Sequence, residues 1–201
     1  MPSGRNGANK SVFFNVPFDL SYEPLFVALI AAVVVLGRTP RCVLEIPETG
    51  QGRLSRILVL LRSCATSIHD LSRVGSPVRF NMPFELGIAF ALSRLQARHK
   101  FIMLEAKRHR LQRTLSDMNG IDPLIHSGKA GHTISCVLSH LGKTRGNPPV
   151  QQVQRLYQVL WKVVPSFKST HARTNIYSRG IFGELVDGAT RLAEKDGLIK
   201  P

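Results

Sequence analysis

The apolar residues of this chain fall in short runs between polar loops, and the period of each run predicts its element. SVFFNV, Ser11 to Val16, is short and rich in β-branched and aromatic residues, so it reads as a strand. After a loop, a helix is expected from near Tyr22, carrying the longest apolar run, LFVALIAAVVVL from Leu25 to Leu36, which follows a proline and ends at Gly37. Being apolar on every side, it predicts a buried helix. At about half the length a membrane span requires, it is not a span.

The same alternation then repeats. RCVLEI, Arg41 to Ile46, predicts a second strand; the loop PETGQG leads into a helix with Leu54, Ile57, Leu58 and Leu61 at i, i+3, i+4 and i+7, and Arg53, Arg56 and Arg62 largely off that face. TSIHDL, Thr66 to Leu71, predicts a third strand, followed by the loop SRVGSPVRFN and a helix beginning around Pro83, where a proline suits the first turn. KFIMLE, Lys100 to Glu105, is the fourth, with a basic helix behind it. PLIHS, Pro123 to Ser127, is the fifth and leads to a helix around His132 to Leu141. Five alternations predict an α/β domain over residues 11–142, a five-stranded parallel sheet with helices on both faces. A flexible N-terminus is expected over 1–10. KTRGNPPV breaks the pattern, and VQRLYQVLWKVV and GIFGELVDGATRLAEKDGLI beyond it predict a small C-terminal helical segment over 150–201. Tyr157 and Trp161, four apart there, read as a core-packing face or, more sharply, a surface for self-association.

Composition sharpens this outline. With 201 residues, 43% of them hydrophobic, the chain has material for one sizeable core. Cys42, Cys64 and Cys136 are far apart and form no CxxC pair, which predicts reduced core thiols. The polar N-terminus lacks the apolar stretch of a signal peptide, so a cytoplasmic location and no membrane partner are expected. A net charge of +14 makes nucleic acid a possible but unfavoured partner: the cations are dispersed, densest in KRHRLQR at Lys107 to Arg113, and no nucleic-acid-binding signature accompanies them.

In open parallel sheets ligands bind at the carboxyl ends of the strands. That singles out NVPFD after the first strand, EIPETGQGR after the second, and HDLSRVG with NMPFELG after the third. The loop TGQGR could cradle a phosphate, but it matches neither GxGxxG nor GxxxxGK[ST], which disfavours dehydrogenase-type dinucleotide binding and P-loop hydrolysis. Glu85 is the one acidic residue in RFNMPFELGIAFAL. As a plain structural feature it is a first-turn glutamate favoured by the helix dipole.

FFNVPFD, HDLSRV and RFNMPFELG on a five-strand plan resemble the superfamily that joins Toll/interleukin-1 receptor (TIR) domains to nucleoside 2-deoxyribosyltransferases, and more closely bacterial TIR-like proteins. The resemblance covers roughly Ser11 to Leu141 and implies a flavodoxin/TIR-like fold. In the deoxyribosyltransferases a DxGTxxELG pattern supplies a catalytic glutamate at a helix start, and enzymatic TIR domains place their NAD-cleaving glutamate on the equivalent helix. Glu85 in PFELG occupies that position, while Arg79, Asn81 and Met82 stand where the deoxyribosyltransferase pattern has Asp, Gly and Thr. The tryptophan-cysteine pair of the TIR pattern is missing, and Ser76 is a loose counterpart of its serine.

The resemblance implies an N-glycosidase acting on NAD or a related nucleotide by hydrolysis or cyclisation, in bacteria a setting of antiphage defence. N-glycosidic cleavage passes through an oxocarbenium-like sugar that a carboxylate stabilises or traps. The nicotinamide of NAD is a pyridinium cation while bonded to the ribose and departs as the neutral base without needing protonation, so a single carboxylate suffices. Glu85 is therefore the expected catalytic residue, held ionised by the helix dipole. Asn15, Pro17, Phe18, Asp19, Asp70, Arg73, Asn81 and Met82 are the expected substrate-binding residues. Asn15 and Asp19 would position sugar or amide, Asp70 a ribose hydroxyl, and Arg41, Arg53 and Arg73 a pyrophosphate. His69 is expected to be packed or hydrogen-bonded rather than an acid. No cofactor or metal is expected, NAD entering as substrate, and self-association is expected. The alternative readings are a non-catalytic nucleotide-sensing or protein-interaction module and a basic nucleic-acid-binding protein.

Overall fold

Parallel strands buried on both faces are usually near-continuously apolar, which the first and fourth runs are, while the third buries Thr66, Ser67, His69 and Asp70 beside Ile68. In the computed structural model, which describes residues 10–47, 50, 52–73, 80–95, 99–118, 120–143 and 146–200, these three runs are β1 (Ser11–Asn15), β3 (Thr66–Asp70) and β4 (Lys100–Glu105), with β2 (Thr39–Cys42) and β5 (Leu124–Ile125) at the edges. The sheet is entirely parallel, in the order β2-β1-β3-β4-β5. The chain leaves β1 towards β2 and returns to place β3 on the other side of β1. Right-handed crossovers in opposite directions put successive helices on opposite faces and open a crevice at the carboxyl ends of β1 and β3. There Asn15 pairs in register with His69.

Helices cover both faces. On one, α1 (Glu23–Val35) packs against α5 (Ala130–Leu141), α6 (Val150–Thr170) and α7 (Arg179–Lys195). Every α1 residue but Pro24 is buried. Its end is fixed by Gly37, which at φ +66° lets the Gly37 N–H reach the Val34 carbonyl (2.8 Å) and the Arg38 N–H reach that of Val33 (3.2 Å). Truncating a fully buried member such as Leu29 to alanine removes about 2–5 kcal/mol of stability. On the other face lie α2 (Arg53–Ser63) and α3 (Asn81–Leu95), with the short α4 (Arg110–Thr114). A second, smaller apolar cluster of Leu71, Met82, Leu86, Met103 and Leu111 joins α3 and α4 to the sheet.

The second and fifth strands depart most from expectation. The second strand, expected over Arg41 to Ile46, stops at Cys42 because Glu45 folds back: its Oε1 accepts from the Cys42 N–H (2.5 Å) and its Oε2 from Arg41 Nε (2.7 Å), closing a 3-10 turn over Val43–Glu45. The fifth is reduced to two residues at the sheet edge. On α2, Leu54 is exposed while Leu60 is buried with Ile57 and Leu61, and Arg56, expected off the apolar face, is buried and donates from Nη1 to the Ile46 carbonyl (3.0 Å).

The C-terminal helices share the main core through Val153, Leu156, Leu160, Ile181, Phe182 and Leu185. Tyr157 and Trp161 stack 6.4 Å apart and pack partly buried against it. Glu23, buried at the start of α1, accepts from Lys168 Nζ (2.6 Å) and the Ile176 N–H (3.0 Å), tying the first helix to the α6–α7 connection. Cys42 and Cys64 are free and buried, and burial pushes their thiols up to about 12 and about 11. No helix among the described residues is long and apolar enough to cross a membrane.

Candidate functional site

The loops at the carboxyl ends of β1 and β3 enclose three adjoining cavities, and Arg73 lines all of them. The first, about 260 Å³, is walled by Val16, Pro17, Phe18, Arg53, Arg73, Asn81 and Met82. Five of the expected substrate-binding residues therefore meet there, Pro17, Phe18, Arg73, Asn81 and Met82, together with Arg53, expected at a pyrophosphate. Arg53 holds its guanidinium 5.7 Å above the Phe18 ring, a cation–π arrangement.

Glu85 lies behind Arg53. It sits one turn inside α3 rather than in its first turn, and is 3% exposed. Its Oε1 is 3.8 Å from Arg53 Nε, and its Oε2 has no hydrogen-bond partner among the described residues. Burial raises its pKa above the usual 4.5, and the opposing pull of Arg53 is the smaller effect. The expectation that a helix terminus holds this carboxylate ionised is thus corrected: one turn in, desolvation outweighs the dipole, which fades within the first turn. Arg79, Ser76, Thr49 and Gln51 lie outside the described residues.

The second cavity, about 520 Å³, opens between Phe18, Asp19, Leu20, Ser21, Arg73, Asn175 and Tyr177. Tyr177 stacks on Phe18 (centroids 5.0 Å apart, 29° between planes), and its hydroxyl donates to the Asp19 carbonyl (2.8 Å). Asp19 accepts from Ser21 Oγ at Oδ1 (2.5 Å) and lies 3.4 Å from Arg73 Nε at Oδ2. Tyr177 and Asn175 come from the α6–α7 connection and carry no local motif, so the sequence offered no sign of them.

Asn15 and Asp70, both expected to bind substrate, are buried and line none of these three cavities. Asp70, fully buried, accepts from Tyr22 Oη (2.6 Å), the Ser72 N–H (2.8 Å) and His126 Nε2 (3.1 Å). Burial by itself would raise its pKa; the bonds from His126, Ser72 and Tyr22 outweigh that and hold it below 3.8. With both oxygens occupied by protein donors, Asp70 orders the loop. His126 completes a serine, histidine and aspartate cluster, but not a nucleophilic triad. Gly128 N–H donates to its Nδ1 (3.0 Å), so the ring hydrogen is on Nε2, the atom that faces both Ser72 Oγ (2.8 Å) and Asp70. A base must present a bare nitrogen to serine.

A buried string of polar groups runs from Asn15 across β3. The Cys64 carbonyl can only accept, so His99 carries its hydrogen on Nδ1 (3.1 Å) and takes the Ser67 hydroxyl on Nε2 (3.0 Å). Ser67 then accepts from His69 Nε2–H (2.9 Å), and His69 Nδ1 accepts from Asn15 Nδ2 (3.0 Å). Every member is satisfied if both histidines are neutral. Burial, with His99 nearby, lowers His69 from 6.5 to about 3, and burial lowers His99 as well. His69 is thus the hydrogen-bonded histidine the sequence predicted.

Comparison with protein families, characterised proteins and solved structures finds no match to this chain.

Proposed function

We propose that this chain is an N-glycosidase that cleaves the nicotinamide–ribose bond of NAD or of a related nucleotide. The carrying observation is Glu85: a buried carboxyl with one unpartnered oxygen among the described residues, 3.8 Å from Arg53, whose side chain lines a strand-end cavity. The PFELG resemblance supports the same residue. The cavity walls supply what such a ligand needs, an aromatic ring at Phe18 for a planar base and two guanidinium groups for its phosphates.

In this reading the ligand's phosphates draw Arg53 away from Glu85, and the cationic nicotinamide ribosyl group takes its place. The incoming positive charge favours the ionised carboxylate, which then stabilises the oxocarbenium-like sugar as nicotinamide leaves. Incubating the protein with NAD and following nicotinamide release, beside Glu85→Gln, tests this.

A second reading, a module that binds the nucleotide without cutting it, is favoured by one observation: Arg53, not Glu85, lines the cavity. NAD binding with no nicotinamide release, in wild type and in Arg53→Ala alike, would decide for it.

A further inference from the structure

The outward face of α3 is apolar along its length. The helix exposes Asn81, Phe84, Gly87, Ala91, Arg94 and Leu95. The preceding Phe80, whose carbonyl accepts from the Phe84 N–H (3.1 Å), continues the same side by one turn. Phe80, Phe84, Gly87, Ala91 and Leu95 recur every three or four residues, so they form one stripe, and none of them is polar. α7 has the ordinary outer face of a surface helix, with Arg179, Asp187, Arg191, Glu194 and Lys195 exposed. Phe80 is 77%, Phe84 58% and Leu95 83% exposed. The two rings alone leave roughly 250 Å² uncovered. With Ala91 and Leu95 the stripe reaches the few hundred Å² at which an exposed apolar patch marks an interface.

The order of residue sizes along the stripe matches a second copy of itself. Large side chains stand towards its ends, and the small Gly87 and Ala91 lie between them. Two antiparallel copies centred between Gly87 and Ile88 set Phe84 of one against Ala91 of the other, and Phe80 against Leu95, each pair occurring twice about a two-fold axis. Gly87 meets Gly87 at the axis, where the absence of side chains lets the backbones approach. A parallel pair would instead stack Phe80 on Phe80 and Leu95 on Leu95, and leave a gap between the glycines.

Charge favours the same face and the same direction. Copies of a chain with a net charge of +14 repel one another, and this stripe is uncharged. Arg94 lies to one side of it, its guanidinium 5.1 Å from the centroid of the Phe90 ring. In the antiparallel pair the two Arg94 residues are roughly 20 Å apart along the axis. That exceeds the screening length of about 8 Å at physiological salt. In a parallel pair they would be neighbours.

We infer that α3 is the contact face of a homodimer, in which two copies pack antiparallel through Phe80, Phe84, Gly87, Ala91 and Leu95. One helix pair buries less than a standard interface, so the dimer is a reversible one.

Sedimentation velocity of the full chain over about a hundredfold range of concentration tests the dimer. Wild type is expected to pass from monomer to dimer as concentration rises. Phe84→Glu and Ala91→Glu bring a charge into the apolar contact and are expected to weaken the dimer by at least about tenfold. Val159→Glu, at a 46% exposed position on α6, is expected to dimerise like wild type. All three positions are exposed, and unchanged circular dichroism confirms that the variants fold.

Oxidation by diamide in a Cys136→Ser background, where Cys42 and Cys64 are buried, reads the direction of packing. Gly87→Cys has room in the monomer, since nothing lies within 4 Å of an added Cβ, and is expected to cross-link to a disulfide dimer. Leu95→Cys, whose two copies lie roughly 22 Å apart along the axis, is expected not to. A wild type that stays monomeric at every concentration, glutamate variants on α3 that dimerise like wild type, or Leu95→Cys cross-linking as readily as Gly87→Cys overturns the inference. Nicotinamide release plays no part in these readouts, so the dimer and the glycosidase reading stand or fall separately.

Discussion

The Glu85 carboxylate lies 3.8 Å from the Arg53 guanidinium, too far for a good hydrogen bond and close enough for the charge to be felt. Arg53 therefore holds the Glu85 pKa below where burial alone would set it. Replacing Arg53 with methionine, which removes the charge but keeps the side chain covering Glu85, is expected to raise the Glu85 titration midpoint further, read by carbon-13 NMR of its side-chain carboxyl. An unchanged midpoint would show that the two charges are not coupled.

Glu85 also makes a stability prediction. Because its folded pKa is raised above 4.5, the folded state binds this proton more tightly than the unfolded chain does. Its contribution is greatest below 4.5 and declines as pH rises through the raised folded value. Glu85→Gln, which abolishes the buried charge, is expected to unfold no more easily than wild type at neutral pH and to gain up to about 1 kcal/mol in urea titration. A loss of stability would mean that the ionised carboxylate is structurally paired.

His69 governs a different pH range. Its pKa falls from 6.5 in the unfolded chain to about 3 when folded, so below 6.5 the unfolded state takes up a proton that the native state refuses. Stability drops progressively as pH falls from 6.5 towards 3. His69→Gln is expected to cost about 1–2 kcal/mol at pH 7.5 through disturbed bonds to Asn15 and Ser67, yet to show a shallower acid slope in urea midpoints. Parallel slopes for the two proteins would rule out His69 as the acid-sensitive group.

Glu23 joins elements far apart in sequence. Glu23→Ala removes the acceptor of Lys168 Nζ and of the Ile176 N–H, and is expected to cost about 2–4 kcal/mol, with hydrogen exchange accelerated first in the α6–α7 connection. Uniform acceleration across the sheet would show instead that the connection unfolds only with the whole molecule.

Where side-chain chemistry and periodicity agreed locally, the chain announced its structure. β4 spans the expected KFIMLE, and the apolar run of α1 is buried along its length. The second strand was misread because its end depends on the backward reach of Glu45 to Cys42, which no hydropathy pattern records. In the candidate site, Pro17, Phe18, Arg73, Asn81 and Met82 were legible because strand-end loops carry ligands in parallel sheets. Tyr177 and Asn175 were not, since their place beside Phe18 and Asp19 comes from packing of the distant α6–α7 connection. His126 was read only as part of a strand; its role emerges from the register that sets it beside Asp70 and Ser72.

The most direct test of the central claim is nicotinamide release from NAD by the purified protein, compared with Glu85→Gln. Release by wild type that falls at least about a thousandfold in the variant is the predicted result. Release that persists in Glu85→Gln would contradict the assignment of the chemistry to this carboxylate.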